Sequence, residues 1–575
     1  MVTVKKLLLI LLCVALSDTV RAAAPQVVLG PGVGAANFRV PYHIAANRTL
    51  SRDTVYVMTG WTFVDSTYTL TIQSGTLLRG DSASGGTIVI KRGARINAVG
   101  TPTQPIVFTS NKPAGSRTPG DWGGVILLGS ATTNKPTTQQ IEGGFGTIAN
   151  SDAMYGGSND ADNSGVMQYV RIEFAGIAFA TDNEINGLTL GGVGSGTTLD
   201  HIQVSFSNDD SFEWFGGTAQ MKYIVAWQGL DDDIDTDFGF NGKLQFVYSK
   251  RNPNIFDASA SSNSNGFESD NEGTSPYSAL PRTKARVSNV TLIGPAMDSV
   301  FANSMSVKFE RSAMLRRATE LSIYNSVMVG WKLGIILKDT LTQRAAMNDN
   351  LQIRHTSLAA PREMVVLGSS PSTPNITGFD PVAWYTTAGW GNNGSTRRQS
   401  LDVGLTSAAF NLDATNNPVP TAGSELATAG TAFDGRLTGD AFFSNVSYRG
   451  AFDPSLPMNQ QWTAGWTNFD PQITPYVTDV KEVGGGIPST FELSQNYPNP
   501  FNPSTVIRFS VPSAGQATLV VFNMIGQEVA RLVDGELTAG NYETEFNASR
   551  LSSGTYIYRL TSTGHTQVRK MLLLK

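Results

Sequence analysis

Apolar residues recur at alternate positions in short runs along this chain, and the runs themselves recur. "MQYVRIEF" from Met167, "LDHIQVSF" from Leu199, "MKYIVAWQ" from Met221 and "LQFVYSKR" from Leu244 share one apolar-x-ring-apolar order. The last three begin 22 and 23 residues apart. "VSNVTLIG" (287–294) and "YNSVMVGW" (324–331) read as the same strand after longer loops. Upstream, "LTIQSGTLLRG", "GTIVIKRGARINAVG" and "PIVFTS" alternate short strands with glycine bends. Period-two alternation marks strands. A short repeat rich in β-branched residues marks coils that pair above and below at about 4.8 Å. The expected fold is all-β: a right-handed parallel β-helix, a pectin-lyase-like solenoid, over 25–370 with an N-terminal cap. Helical solenoids are excluded by the short period and the glycines. A propeller would need a repeat near 40 residues.

From 371 the pattern changes to Pro, Thr, Asn and aromatics, and 371–482 reads as last coils, a cap and a spacer. An open solenoid end needs covering. A Gly-rich linker follows at 483–487. Alternation returns after it at Val506-Ile507-Phe509, Thr518 to Phe522 and Thr555 to Leu560. Turn signals at Asp534-Gly535, Ala539-Gly540 and Ser553-Gly554 separate these runs, which predicts a small Ig-like β-sandwich over 488–575.

The chain starts with Lys5 and Lys6, an apolar run from Leu7 to Leu16, and "VRAAA". That is a secretory signal peptide over 1–24, cut after Ala22 or Ala24. The only cysteine, Cys13, falls within it, so the mature chain is expected to carry no disulfide. No later run approaches the ~20 apolar residues of a transmembrane helix. A net charge of −5 over 575 residues is mild, and no basic face for nucleic acid is predicted.

"NYPNPFNPST", "GQEV", "LSSGTYIYRL" and a basic tail through Lys570 and Lys575 resemble the C-terminal sorting domain of the bacterial type IX secretion system. The resemblance covers 488–575. It implies the secretion machinery as a partner and a secreted, extracellular or outer-membrane cell-surface location. The sorting positions it singles out are Gly526, Gly540, Gly554, Tyr556, Lys570 and Lys575. The body, through "PIVFTSN", "GDWGGVILLG" and "FEWFGGT", is similar to the β-helical cargo joined to such domains, a group defined by architecture rather than activity.

Candidate chemistry concentrates in "SNDDSFEWFGGT" (207–218) and "GLDDDIDTDFGFNG" (229–242). Aligned on the coil repeat, Asp209 matches Asp231, Asp210 matches Asp232, and Glu213 matches Asp235. Stacked in register, these six carboxylates form two rows. Like charges near 5 Å repel by about 3 kcal/mol per pair at an effective dielectric of about 20. A bound cation, raised pKa values or splaying into water would relieve this. Ca²⁺ suits such an oxygen set, although the stretch is no EF-hand loop: Thr236 stands where glycine is required, and Gly242 where glutamate is. Three readings remain open: a Ca²⁺ site, a catalytic or sugar-binding cleft, and solvated turn acids, the plainest of the three.

The catalytic reading makes the protein a polysaccharide lyase or glycoside hydrolase, with Asp210, Asp232, Glu213 and Asp235 as candidate acids. Lys222 and Lys243 are the nearby bases, and His201 reads as a structural strand residue. Trp214 and Trp227 flank the acids and are candidates for stacking on sugar. The remaining reading is a surface or adhesion protein that binds glycan or another surface without catalysis. With four histidines and no ligand spacing, a zinc site is not expected.

Overall fold

The computed structural model describes residues 26–135, 139–143, 152–180, 183–259, 263–369, 373–393, 398–476, 481–483, 488–548 and 551–575. The expected signal peptide lies outside these residues. The chain divides into two compact units, Pro25–Gln472 and Ile473–Lys575.

The first unit is built on two long parallel sheets, confirming the expected parallel β-helix. Among the described residues the second of these has eleven strands, including Leu188–Gly191, Phe212–Phe215, Ile234–Asp237, Phe267–Ser269, Arg311–Leu315 and Leu333–Lys338. Side chains alternate across it. Leu188, Leu190, Phe212, Trp214, Ile234 and Phe267 point into the solenoid core, so Thr189, Glu213, Asp235 and Glu268 stand on the outer face. At the rung of Trp214 the next coils carry Thr236 and Ser269, both buried, and their hydroxyls bond at 2.8 Å.

In the first sheet each long strand is bent at one residue. Gln168 pairs with Asp200 and Val170 with Ile202, leaving Tyr169 and His201 between them. Tyr169, His201, Tyr223 and Phe246 all take left-handed backbone, φ 50–59°. The shared ring position is therefore a corner of the coil, not an in-strand position as the alternation suggests. The rings stack along the solenoid at 4.3, 4.5 and 5.0 Å, and this stacking offsets a conformation that costs about 1–2 kcal/mol per non-glycine residue. Asn289, Asn325 and His355 continue the left-handed column. His201 is thus structural, flanked by two tyrosines and met edge-on by Trp466 at 5.6 Å.

The last strand of the two long sheets is Glu363–Gly368; among the described residues 373–476, Asn393 makes an isolated parallel bridge to Ser357 and no further strand joins either sheet. That segment is rich in Pro, Gly and Asn, which break ladders. It runs as a strap along the first sheet instead. Outward amides meet its backbone carbonyls: Gln203 Nε2 donates to Asn468 O at 2.7 Å, Gln245 Nε2 to Ser444 O at 2.8 Å, and Asn325 Nδ2 to Ala432 O at 2.9 Å. Trp227, Tyr248, Phe452 and Trp466 form a second apolar cluster beneath it.

The second unit has two four-stranded antiparallel sheets around one core, the sandwich expected. Two details differ from expectation. Asp534-Gly535 lies within the strand Glu528–Leu537, paired with Thr518 and Ala517, and is no turn. Lys481–Glu482, assigned to the spacer, pairs with Tyr542 and Glu543. Gly526 (φ 84°) closes the Asn523–Gln527 hairpin. Gly540 and Gly554 open strands. The buried Tyr556 donates its hydroxyl to Ser552 O at 2.8 Å. Lys570 lies opposite Ile557, and the Lys575 amide donates to Ser553 Oγ at 2.9 Å.

Candidate acidic site

The two acidic segments stack in register. Phe212 pairs with Ile234, Glu213 with Asp235, Trp214 with Thr236 and Phe215 with Asp237. The next coil extends the row, with Asp235 opposite Glu268. One column on the outer face of the second sheet therefore reads Thr189, Glu213, Asp235, Glu268.

A second column lies three residues earlier, at the turn entering each strand. Gly187 N donates to Asp210 O, Ser211 N to Asp232 O and Asp233 N to Asn265 O. The turn column is Asn186, Asp210, Asp232, Asn265, with an amide at each end and carboxylates in the middle. Asp210 Oδ1 accepts the Asp232 amide at 2.7 Å, and Asp232 Oδ1 accepts the Asn265 amide at 2.5 Å. Each aspartate thus fastens one coil to the next.

The amides at the ends serve the neighbouring acids. Asn186 Nδ2 donates to Glu213 Oε2 at 2.5 Å, and Asn265 Nδ2 to Glu268 Oε2 at 3.4 Å. Among the described residues no amide side chain donates to Asp235 in this way. Oxygens of Asp210, Glu213 and Asp235 lie within 4.8 Å of one another, as do those of Asp209, Asp210 and Asp231. Among the described residues no ion pair reaches Asp210, Glu213 or Asp235. Asp235 Oδ1 and the buried Asn186 Oδ1 have no hydrogen-bond partner.

These are not wet turn acids. Asp210, Glu213 and Asp232 are only 6, 8 and 4% exposed, and Asp209, Asp231 and Asp235 are half-buried. Burial, then neighbouring carboxylates, holds Asp209, Asp210, Glu213, Asp232 and Asp235 well above the usual carboxylate range. Glu142, which comes against Asn186 and Glu213, is pushed up to about 7, chiefly by burial. Asp237 is pushed up to about 8 by burial and by Asp270.

Sequence reasoning missed Glu142, Asn186, Asn265, Glu268 and Asp270. For two of them a signal exists: "NGFES" from Asn265 repeats the pattern of "DSFEW" from Asp210, after a long inserted loop. Glu142 carries none, because only folding brings its loop onto the sheet.

Other candidates lie elsewhere or are spent. Trp214 and Trp227 are both 0% exposed, so neither offers a ring to a sugar. Both fill apolar interior, Trp214 inside the solenoid and Trp227 beneath the strap. Lys222 Nζ donates to Ser444 Oγ at 2.9 Å and Lys243 Nζ to Asp440 Oδ1 at 2.8 Å, both against the strap rather than beside the acids. Asp233, adjacent to Asp232, is fully buried and paired with Arg251 at 2.9 Å.

Residues 42–394 match the family model described as a pectate-lyase-like beta helix domain. Residues 495–574 match that of the secretion system C-terminal sorting domain. Neither the curated proteins nor the solved structures offer a match to this chain. The sorting domain marks the protein for secreted or cell-surface export and for recognition by the type IX machinery. Among the described residues no helix is long and apolar enough to cross a membrane.

Proposed function

Because the chain belongs to the pectate-lyase-like beta helix domain family and ends in a secretion sorting domain, we propose that it is a surface-binding protein whose acidic columns hold Ca²⁺, with a glycan or another surface as its ligand. The observation that supports this most directly is the Asp210, Glu213 and Asp235 cluster, three carboxylates within 4.8 Å with no ion pair to them among the described residues. Ligand oxygens on opposite sides of a Ca²⁺ ion stand about 4.6–5.2 Å apart, given Ca–O distances of about 2.3–2.6 Å. Asp209, Asp231 and Glu142 supply further oxygens around it. Bound there, the ion would cancel the repulsion between coils and stiffen the solenoid.

The same geometry speaks for a holding role over acid–base catalysis. One oxygen of Asp210 and one of Asp232 already accept backbone amides of the next coil. The candidate bases Lys222 and Lys243 face the strap. The alternative reading, a polysaccharide lyase or glycoside hydrolase at these coils, is tested in the same experiment. Calorimetric Ca²⁺ titration and a polysaccharide degradation screen are run on the mature protein and on Asp210→Asn and Asp235→Asn. Saturable Ca²⁺ binding, weakened at least about tenfold in both variants and without turnover, is the expected result. Degradation lost in both variants would establish the enzyme instead.

A further inference from the structure

The outer face of the second sheet changes sign after Asp270. Leu315 pairs with Leu337, so Arg316 and Lys338 occupy adjacent rungs, roughly one strand spacing apart. With Arg317, Tyr277, Asp339 and Thr373 they line a cavity of about 130 Å³. That is room for about four waters at ~30 Å³ each, the size of a small oxyanion.

The charges around this cavity are unevenly paired. Arg316 Nε donates to Asp270 at 2.7 Å and its guanidinium also meets Glu268; Arg317 meets Asp270 at 2.5 Å. Asp339 is already engaged. Its Oδ1 accepts the Leu341 and Thr342 amides at 2.9 Å, and its Oδ2 accepts Thr342 Oγ1 at 3.1 Å and the Arg317 amide. It caps the helix Thr340–Met347 and has little capacity left to neutralise a lysine. Lys338 is half-buried and, among the described residues, makes no ion pair or hydrogen bond. Nearby Arg311 leaves its buried Nε without a partner.

We infer that this cavity is an oxyanion site, taking a sulfate, phosphate or carboxylate group between Lys338, Arg316 and Arg317. A trigonal or tetrahedral anion supplies what the cavity lacks, several acceptor oxygens on one small charged group. The site shares no residue with the proposed Ca²⁺ ligands, so the two readings stand or fall separately.

The test uses the mature protein, titrated with inorganic sulfate and phosphate at fixed ionic strength and followed by calorimetry and thermal shift. Lys338→Met and Arg317→Gln are the variants, and Lys284→Met, on another coil edge, is the control. Saturable binding weakened about tenfold or more by Lys338→Met, with the control unchanged and the anion-free melting point retained, is the expected result. Should Lys338→Met fail to fold, Arg317→Gln carries the comparison. A parallel titration compares a sulfated polysaccharide with an uncharged glucan. Preference for the sulfated polymer over free sulfate identifies a polymer substituent as the ligand, and equal affinity identifies a free ion; both sustain the site. Absence of saturable anion binding, or binding unchanged in Lys338→Met and Arg317→Gln, overturns it.

Discussion

Glu213 lies directly across the parallel ladder from Asp235, and the Asp210 carboxylate comes within 4.8 Å of both. Three acids of two successive coils share one small, mostly dry volume. Several measurable consequences follow from that contact.

Asp235→Asn should stabilise the metal-free protein. It removes one charge from the row while preserving the shape, and relieves repulsion of about 1–3 kcal/mol. Chemical denaturation in chelator checks the sign. The same variant should gain little from added Ca²⁺, whereas wild type should gain by mass action.

The metal-free protein should lose stability as pH rises. The folded-state pKa values lie above the unfolded ones, so the folded state holds the extra protons between about pH 4 and the folded pKa, and stability falls across that window. Glu142, at about 7, and Asp237, at about 8, extend the window to about pH 8. Melting curves from pH 5 to 8 should slope downward in chelator and flatten in Ca²⁺.

Arg251→Met should cost about 3–5 kcal/mol, because it strands Asp233 without its partner in a fully buried place. Arg251 also donates to Gly229 O and Asn265 O, so the loops entering the acidic coils should loosen too. Urea unfolding gives the loss, and hydrogen exchange shows where it falls.

Trp214→Ala should destabilise by about 3–5 kcal/mol, as a large core truncation does. Any change in glycan binding should follow the loss of folded protein. Binding measured per folded molecule should match wild type, since the ring is 0% exposed.

The repeat, the sandwich, the export address and the pairing of the two acidic coils were all legible in the chain. Each depends on local alternation or on short motifs, and a repeat fixes register wherever its spacing is constant. From Leu199 to Leu244 the spacing hardly changes, so Asp210 and Asp232, or Glu213 and Asp235, could be aligned by counting. The inserted loop before Phe267 broke the count and hid Asn265 and Glu268. Counting also treated Tyr169, His201, Tyr223 and Phe246 as strand residues, since a left-handed corner leaves no mark on polarity.

By itself, the sequence determined which residues share a rung, because a solenoid turns sequence spacing into spatial order. Only the tertiary structure decided what surrounds those rungs. The strap buries Trp227, Glu142 comes against Glu213, and Lys338 is left beside two arginines already held by acids. Burial and pairing of this kind depend on segments far apart in the chain, and they turn a row of exposed-looking aspartates into a largely buried cluster of like charges.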